Sequence, residues 1–140
     1  MWVPGSYDPA LNLAYFGPAQ TYDTGPLRNL SDEGRDITND ALYTDATIAL
    51  NPDTGKLAWY FQHQPNDQWD LDWAFERHQV RLPAHGATKT VVVTGGKQAI
   101  FDAMDAETGR YVFSMDLGLQ NVVTAIDRTT GAKSIDPRLV

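Results

Sequence analysis

The chain has 140 residues, 42% of them hydrophobic and 21% charged, which suits one globular domain and excludes a disordered chain. Its net charge of −7 excludes the basic footprint of a nucleic-acid binder and is compatible with cation binding. The absence of cysteine excludes disulfides and thiolate metal sites and leaves the redox compartment open. No apolar run approaches the ~20 residues of a membrane-spanning helix. Met1 leads into "WVPGSYDP", which has neither the basic start nor the apolar stretch of a signal peptide.

Short β-rich runs separated by Gly, Pro, Asn and Asp dominate. A "YDPALN" turn leads into a strand at 13–17, and the polar residues 18–40 read as a long loop of the kind that is usually functional. A strand at 41–50, a tight "NPDTG" turn and a return strand at 56–63 follow. The next stretch, "NDQWDLDWAFERH", sets Asp67, Asp70, Asp72 and Glu76 around Trp69 and Trp73, with one helical turn expected in "WAFERH". Further strands are expected at 88–96, 98–105, 110–117 and 121–127.

The chain also repeats itself. "ALNPDTGKLAW" starts at Ala49, "AMDAETGRYVF" at Ala103 and "AIDRTTGAKSI" at Ala125, all with the pattern Ala-x-Asp/Asn-x-x-Thr-Gly. The pattern is that of a hairpin: the acid or amide and the Thr cap the turn, Gly supplies positive φ, and the small Ala leaves room for a large ring. The first copy ends in Trp59 and the second in Phe113; the third has no aromatic there. The first two copies are spaced for one four-stranded propeller blade of about 40–45 residues with an insertion. The third follows too soon for another whole blade, so it is either an internal hairpin or the start of an irregular one.

The stretch at 49–59 resembles the tryptophan-docking motif of pyrroloquinoline quinone (PQQ)-dependent alcohol dehydrogenases of the methanol and ethanol dehydrogenase type. The resemblance runs from Trp2 through "AIDRTTG". It implies an all-β fold, a partial β-propeller of about two to three four-stranded blades from an eight-bladed ring, with residues 1–140 as an incomplete segment. In the docking motif the Trp stacks on the Ala of its own copy and the Gly peptide of a neighbour.

The resemblance also implies roles for single residues. In "WDLD", Asp70 matches the catalytic base that takes the hydroxyl proton while hydride passes to the quinone. Asp72 matches the extra acid of lanthanide-using members, since a trivalent hard cation favours more anionic oxygens than Ca²⁺ needs. If that stretch is extended, residues 70 and 72 point the same way and share one ion. Trp2, before "GSYDPALNLAYFG", matches the indole that lies flat under the quinone. Gln20, in "FGPAQT", stands where the family has a metal-binding Asn and offers an amide oxygen one methylene further out. Lys97, in "TGGKQAIFDAMDAETG", matches the basic residue on the quinone oxygens, where a cation stabilises developing negative charge.

The implied cofactors are PQQ and either Ca²⁺ or a lanthanide ion. The implied partners are a small alcohol and a cytochrome c-type electron acceptor, and the implied location is periplasmic. Family members are several times longer than this chain, so the rest of the ring is expected to be missing, and the isolated segment is expected to be inactive and prone to aggregate through its open sheet edges. The rival reading is a non-catalytic PQQ-like-repeat propeller that binds proteins as a scaffold. The set Trp2, Gln20, Asp70, Asp72 and Lys97 separates the two, because a scaffold has no use for it. Asp67 and Glu76 are expected to be solvated or structural. His63, His78 and His85 lack metal-ligand spacing, "TGG" at 94–96 reads as a turn rather than a phosphate loop, and nothing beyond Asp70 and Glu76 supports a paired-carboxylate glycosidase.

Overall fold

A computed structural model describes residues 3–20 and 41–139. Trp2 and most of the expected 18–40 loop lie outside the described residues. Two four-stranded antiparallel meanders carry the fold. The first runs β1 (Ser6–Asp8), β2 (Leu13–Phe16), β3 (Ala46–Leu50), β4 (Leu57–Gln62). The second runs β5 (His78–Ala84), β6 (Ala87–Gly95), β7 (Ile100–Asp105), β8 (Tyr111–Asp116). A two-stranded hairpin, β9 (Val123–Ile126) and β10 (Lys133–Ile135), follows, then a short 3₁₀ turn at Pro137–Leu139. Each meander, in which every strand pairs with its neighbour in sequence, has the form of a propeller blade.

All three repeats form the same turn. Asn51 Oδ1 accepts from the amides of Asp53 and Thr54, Asp105 Oδ1 from Glu107 and Thr108, and Asp127 Oδ1 from Thr129 and Thr130. The glycines that close these turns, Gly55, Gly109 and Gly131, sit at φ of 66°, 71° and 75°, where a side chain is strained.

The blades pack through the repeats. Trp59 stands opposite Ala49 in register, and a Cβ on Gly109 would lie 2.6 Å from the Trp59 ring. The indole Nε1 of Trp59 and the hydroxyl of Tyr15 both donate to the Ala106 carbonyl, each at 3.0 Å. Around them Leu13, Tyr15, Ala49 and Trp59 of the first blade meet Val92, Met104 and Ala106 of the second. The ring that closes on Gly131 is Tyr111, with Phe61 behind it, rather than Phe113, which stands opposite Ala103. A bulge between Ala103 and Met104 separates those two registers.

Ile100, Asp102 and Met104 share one face of β7 by strand alternation. Met104 packs on the first blade, whereas Ile100 packs with Trp73 and with Val123, Ile126 and Ile135 of the final hairpin. The third repeat is therefore an internal hairpin tucked against the same face of the second blade, not the opening of a third.

Several elements depart from expectation. The strand placed at 41–50 begins only at Ala46, because Ala41 and Asp45 adopt positive φ (52° and 45°) and the residues between them turn. "WAFERH" forms no helical turn: the buried Arg77 guanidinium takes the carbonyls of Trp73 and Phe75 that a helix would give to its own amides. β1, β5 and β10 lie at sheet edges, and β5 is mostly solvated, so no apolar alternation marks it in the sequence.

Candidate functional site

The segment from Gln64 to Arg77 has no strand or helix, and acids shape it. Asp67, 2% exposed, accepts from the amides of Trp69 (2.8 Å) and Leu71 (2.7 Å). Asp45 accepts from the amide of Trp73 at 3.1 Å. Burial first, then the neighbouring Asp67 carboxylate, pushes Asp45 up to about 8, so it keeps its proton at neutral pH. Asp67 is thus structural, and Glu76 is solvent-exposed. The interleaved acids of this segment do different jobs.

Asp70 and Asp72 do converge, but not as alternate residues of an extended strand. Both adopt positive φ (59° and 32°), a conformation Asp tolerates better than most side chains. Lys97 bridges them, its Nζ lying 3.0 Å from Asp70 Oδ2 and 2.7 Å from Asp72 Oδ2. Its backbone amide donates to the Leu71 carbonyl at 2.8 Å, which ties the β6–β7 turn to the acidic loop. Gln20 closes the group: its Nε2 donates to Asp70 Oδ1 at 3.0 Å and its amide to Asp72 Oδ1 at 3.2 Å. Four of the five residues singled out in the sequence therefore meet in one place, and the fifth, Trp2, lies outside the described residues.

The Asp72 side chain is buried, whereas that of Asp70 is 57% exposed. The hydrogen bond from Lys97 is the main influence holding the Asp70 carboxyl below the usual carboxylate range, against the opposing effect of desolvation. The hydrogen bond with Asp72, first among the causes, raises Lys97 in turn. An ionised, solvent-facing carboxylate is free to accept a proton, and the cation beside it lowers its proton affinity.

The donor set suits a hard cation. Asp70 and Asp72 supply anionic oxygens, and Gln20 Oε1 is buried with no hydrogen-bond partner among the described residues. The set is partial: no group of three or more His, Asp or Glu side chains placed to hold a metal occurs among the described residues. A cleft of about 300 Å³ lies beside the Lys97 turn, lined by Phe75, Val93, Gly96 and Phe101 among others.

A buried polar network below this group has no motif in the sequence. Arg77 Nε donates to Thr47 Oγ1 (3.1 Å), which lies 2.8 Å from His63 Nε2. His63 Nδ1 lies 2.8 Å from Asp102 Oδ2. A carboxylate only accepts, so Nδ1 carries the proton and Nε2 accepts from Thr47. Burial pulls His63 down to about 4, leaving it neutral. Asp102 also accepts from Ser114 and Lys133, each at 2.6 Å. His63 was visible only as a histidine without metal spacing; its partners lie 16 and 39 residues away.

The PQQ family described as glucose/ethanol/alcohol dehydrogenase, β-propeller domain, matches residues 1–120. The chain belongs to this family of PQQ β-propellers. The dehydrogenase subunit of a quinone alcohol dehydrogenase from Gluconobacter oxydans is 30% identical over 138 residues, covering 98% of this chain and 17% of that protein. The quinoprotein alcohol dehydrogenase PedH of Pseudomonas putida is 29% identical over 96% of this chain and 20% of its own length. Among solved structures, a europium-containing methanol dehydrogenase superposes with a TM-score of 0.82 at 26% identity, covering 98% of this chain and 23% of that one. The chain thus spans about a fifth of the proteins it resembles.

Proposed function

We propose that this chain is a segment of a PQQ- and metal-dependent alcohol dehydrogenase that oxidises a primary alcohol to an aldehyde. The observation that carries the reading is the convergence of Asp70, Asp72 and Gln20 on Lys97. Bound PQQ would supply the hydride acceptor, and a bound cation would polarise the reacting oxygens. Asp70, ionised and facing solvent, takes the proton of the alcohol hydroxyl at its carboxylate oxygen. Lys97 keeps Asp70 ionised and brings a positive charge toward the quinone oxygens. Asp72 and the free amide oxygen of Gln20, together with Asp70, would hold the metal; two carboxylates favour a lanthanide over Ca²⁺. Trp2 would stack on the quinone.

The fit to a europium-containing methanol dehydrogenase supports the metal assignment, and relatives named as quinohemoproteins support electron transfer to a cytochrome c-type acceptor. The reading places the enzyme in the periplasm. Dye-linked oxidation of short alcohols by the complete propeller, reconstituted with PQQ and either La³⁺ or Ca²⁺ alone, tests it. Activity with La³⁺ only is expected. Activity with Ca²⁺ alone would remove Asp72 as the extra ligand, and no activity with either metal would favour a non-catalytic scaffold.

A further inference from the structure

Trp73 is the point where the buried network and the acidic loop meet. Its indole is fully buried, stacked on the His63 imidazole at 4.4 Å with 5° between the planes. The Lys133 ammonium lies 4.8 Å from the centre of the same indole. The indole also abuts Gly96, where a Cβ would come within 2.6 Å of it, so only glycine lets the Lys97 turn approach this closely. Trp73 thus sits between Asp72, its chain neighbour, and the residue preceding Lys97.

The support under the indole is held by three separate elements: His63 after β4, Asp102 on β7 and Lys133 on β10. The side chains of all three are wholly buried. Such a group is stable only when each member is paired, and Asp102 pairs with both of the others. Its geometry therefore has little freedom, and the indole resting on it has little either.

We propose that Trp73 is a positioning residue for the Lys97–Asp70–Asp72 group, and that the His63–Asp102–Lys133 cluster sets the indole plane on which the Lys97 turn rests. The proposal uses the catalytic reading of Lys97 for its consequence in turnover, but its geometric part stands without that reading. The final hairpin acquires a role through it: Lys133 carries the third repeat's contribution to the site.

The test compares Trp73→Phe and the double variant Asp102→Asn/Lys133→Met with the parent, all in the complete propeller. The double variant removes both charges together and leaves neither buried alone. In the metal-free, quinone-free protein, the rate of Lys97 reductive methylation, read by peptide mass spectrometry, is expected to rise at least about fivefold in both variants. Methylation of Lys56, in the exposed turn after β3, is expected to stay unchanged. In the reconstituted enzyme, kcat is expected to fall roughly tenfold or more, with KM for the alcohol within about threefold of the parent. Unchanged Lys97 methylation in both variants, whatever happens to thermal stability, would overturn the proposal. If the parent binds no PQQ, the catalytic reading fails while the methylation result still decides the positioning claim.

Discussion

The three repeat turns and the 64–77 loop are both built on aspartate or asparagine, yet they behave in opposite ways. In the turns, one side-chain oxygen caps amides two and three residues ahead, and a glycine closes each turn. The fold of each turn is contained in seven residues. In the loop, Asp67 caps local amides, but Asp70 and Asp72 meet Gln20 and Lys97, and Trp73 hangs from Asp45, 28 residues away. The same residue type is a local clamp in one region and a node between distant elements in the other. Repeating the local device gives a scaffold, and varying its surroundings gives a site.

This contrast can be broken at single glycines. Gly109→Ala should cost most: left-handed backbone costs roughly 1–2 kcal/mol, and a Cβ 2.6 Å from Trp59 adds an overpacking cost of about 1–3 kcal/mol. Urea unfolding of the complete propeller would show it. Gly17→Ala should follow, because its Cβ would fall on the Arg77 guanidinium that anchors the loop to Thr47 and Ala46. We expect a loss of about 1–3 kcal/mol in the same measurement. Gly55→Ala should cost only the backbone strain, about 1–2 kcal/mol, since nothing lies within 4 Å of the added carbon. A Gly55 variant as damaging as the Gly109 variant would show that the docking contact contributes nothing beyond the turn.

The last expected effect concerns pH. Asp45 holds a proton in the folded protein up to about pH 8, whereas the unfolded chain releases it near pH 4. Stability from this group therefore falls as pH rises from about 4 to about 8 and levels off above. Asp45→Asn keeps the acceptor for Trp73 and cannot ionise. At pH 8 it should raise the melting temperature above that of the parent, with the gain shrinking toward pH 4, as thermal unfolding across that range would show.

What could be read from the sequence follows the same division. The Asn51, Asp105 and Asp127 turns, the strands joined by the first two and the docking of Trp59 were legible because their determinants are close in sequence or repeated. Gln20, Asp70, Asp72 and Lys97 were legible through family resemblance, and the structure brings them together by left-handed backbone rather than by strand alternation. The His63–Asp102–Lys133 cluster was not legible. No spacing rule links a histidine, an aspartate and a lysine contributed by three separate elements, and only packing makes them neighbours. β5 was missed because nearly all of it is solvated, so it carries no apolar face, and β1 and β10 because three residues are too few to show a period.

The central claim is that Asp70 is the base of a quinone-dependent alcohol oxidation, kept ionised by Lys97. The most direct measurement is turnover and bound quinone in an Asp70→Asn variant of the complete, PQQ- and metal-loaded propeller. Quinone occupancy at the parent level with kcat reduced by about 10²–10⁴ is the predicted result. Parent-level turnover in that variant would contradict the account.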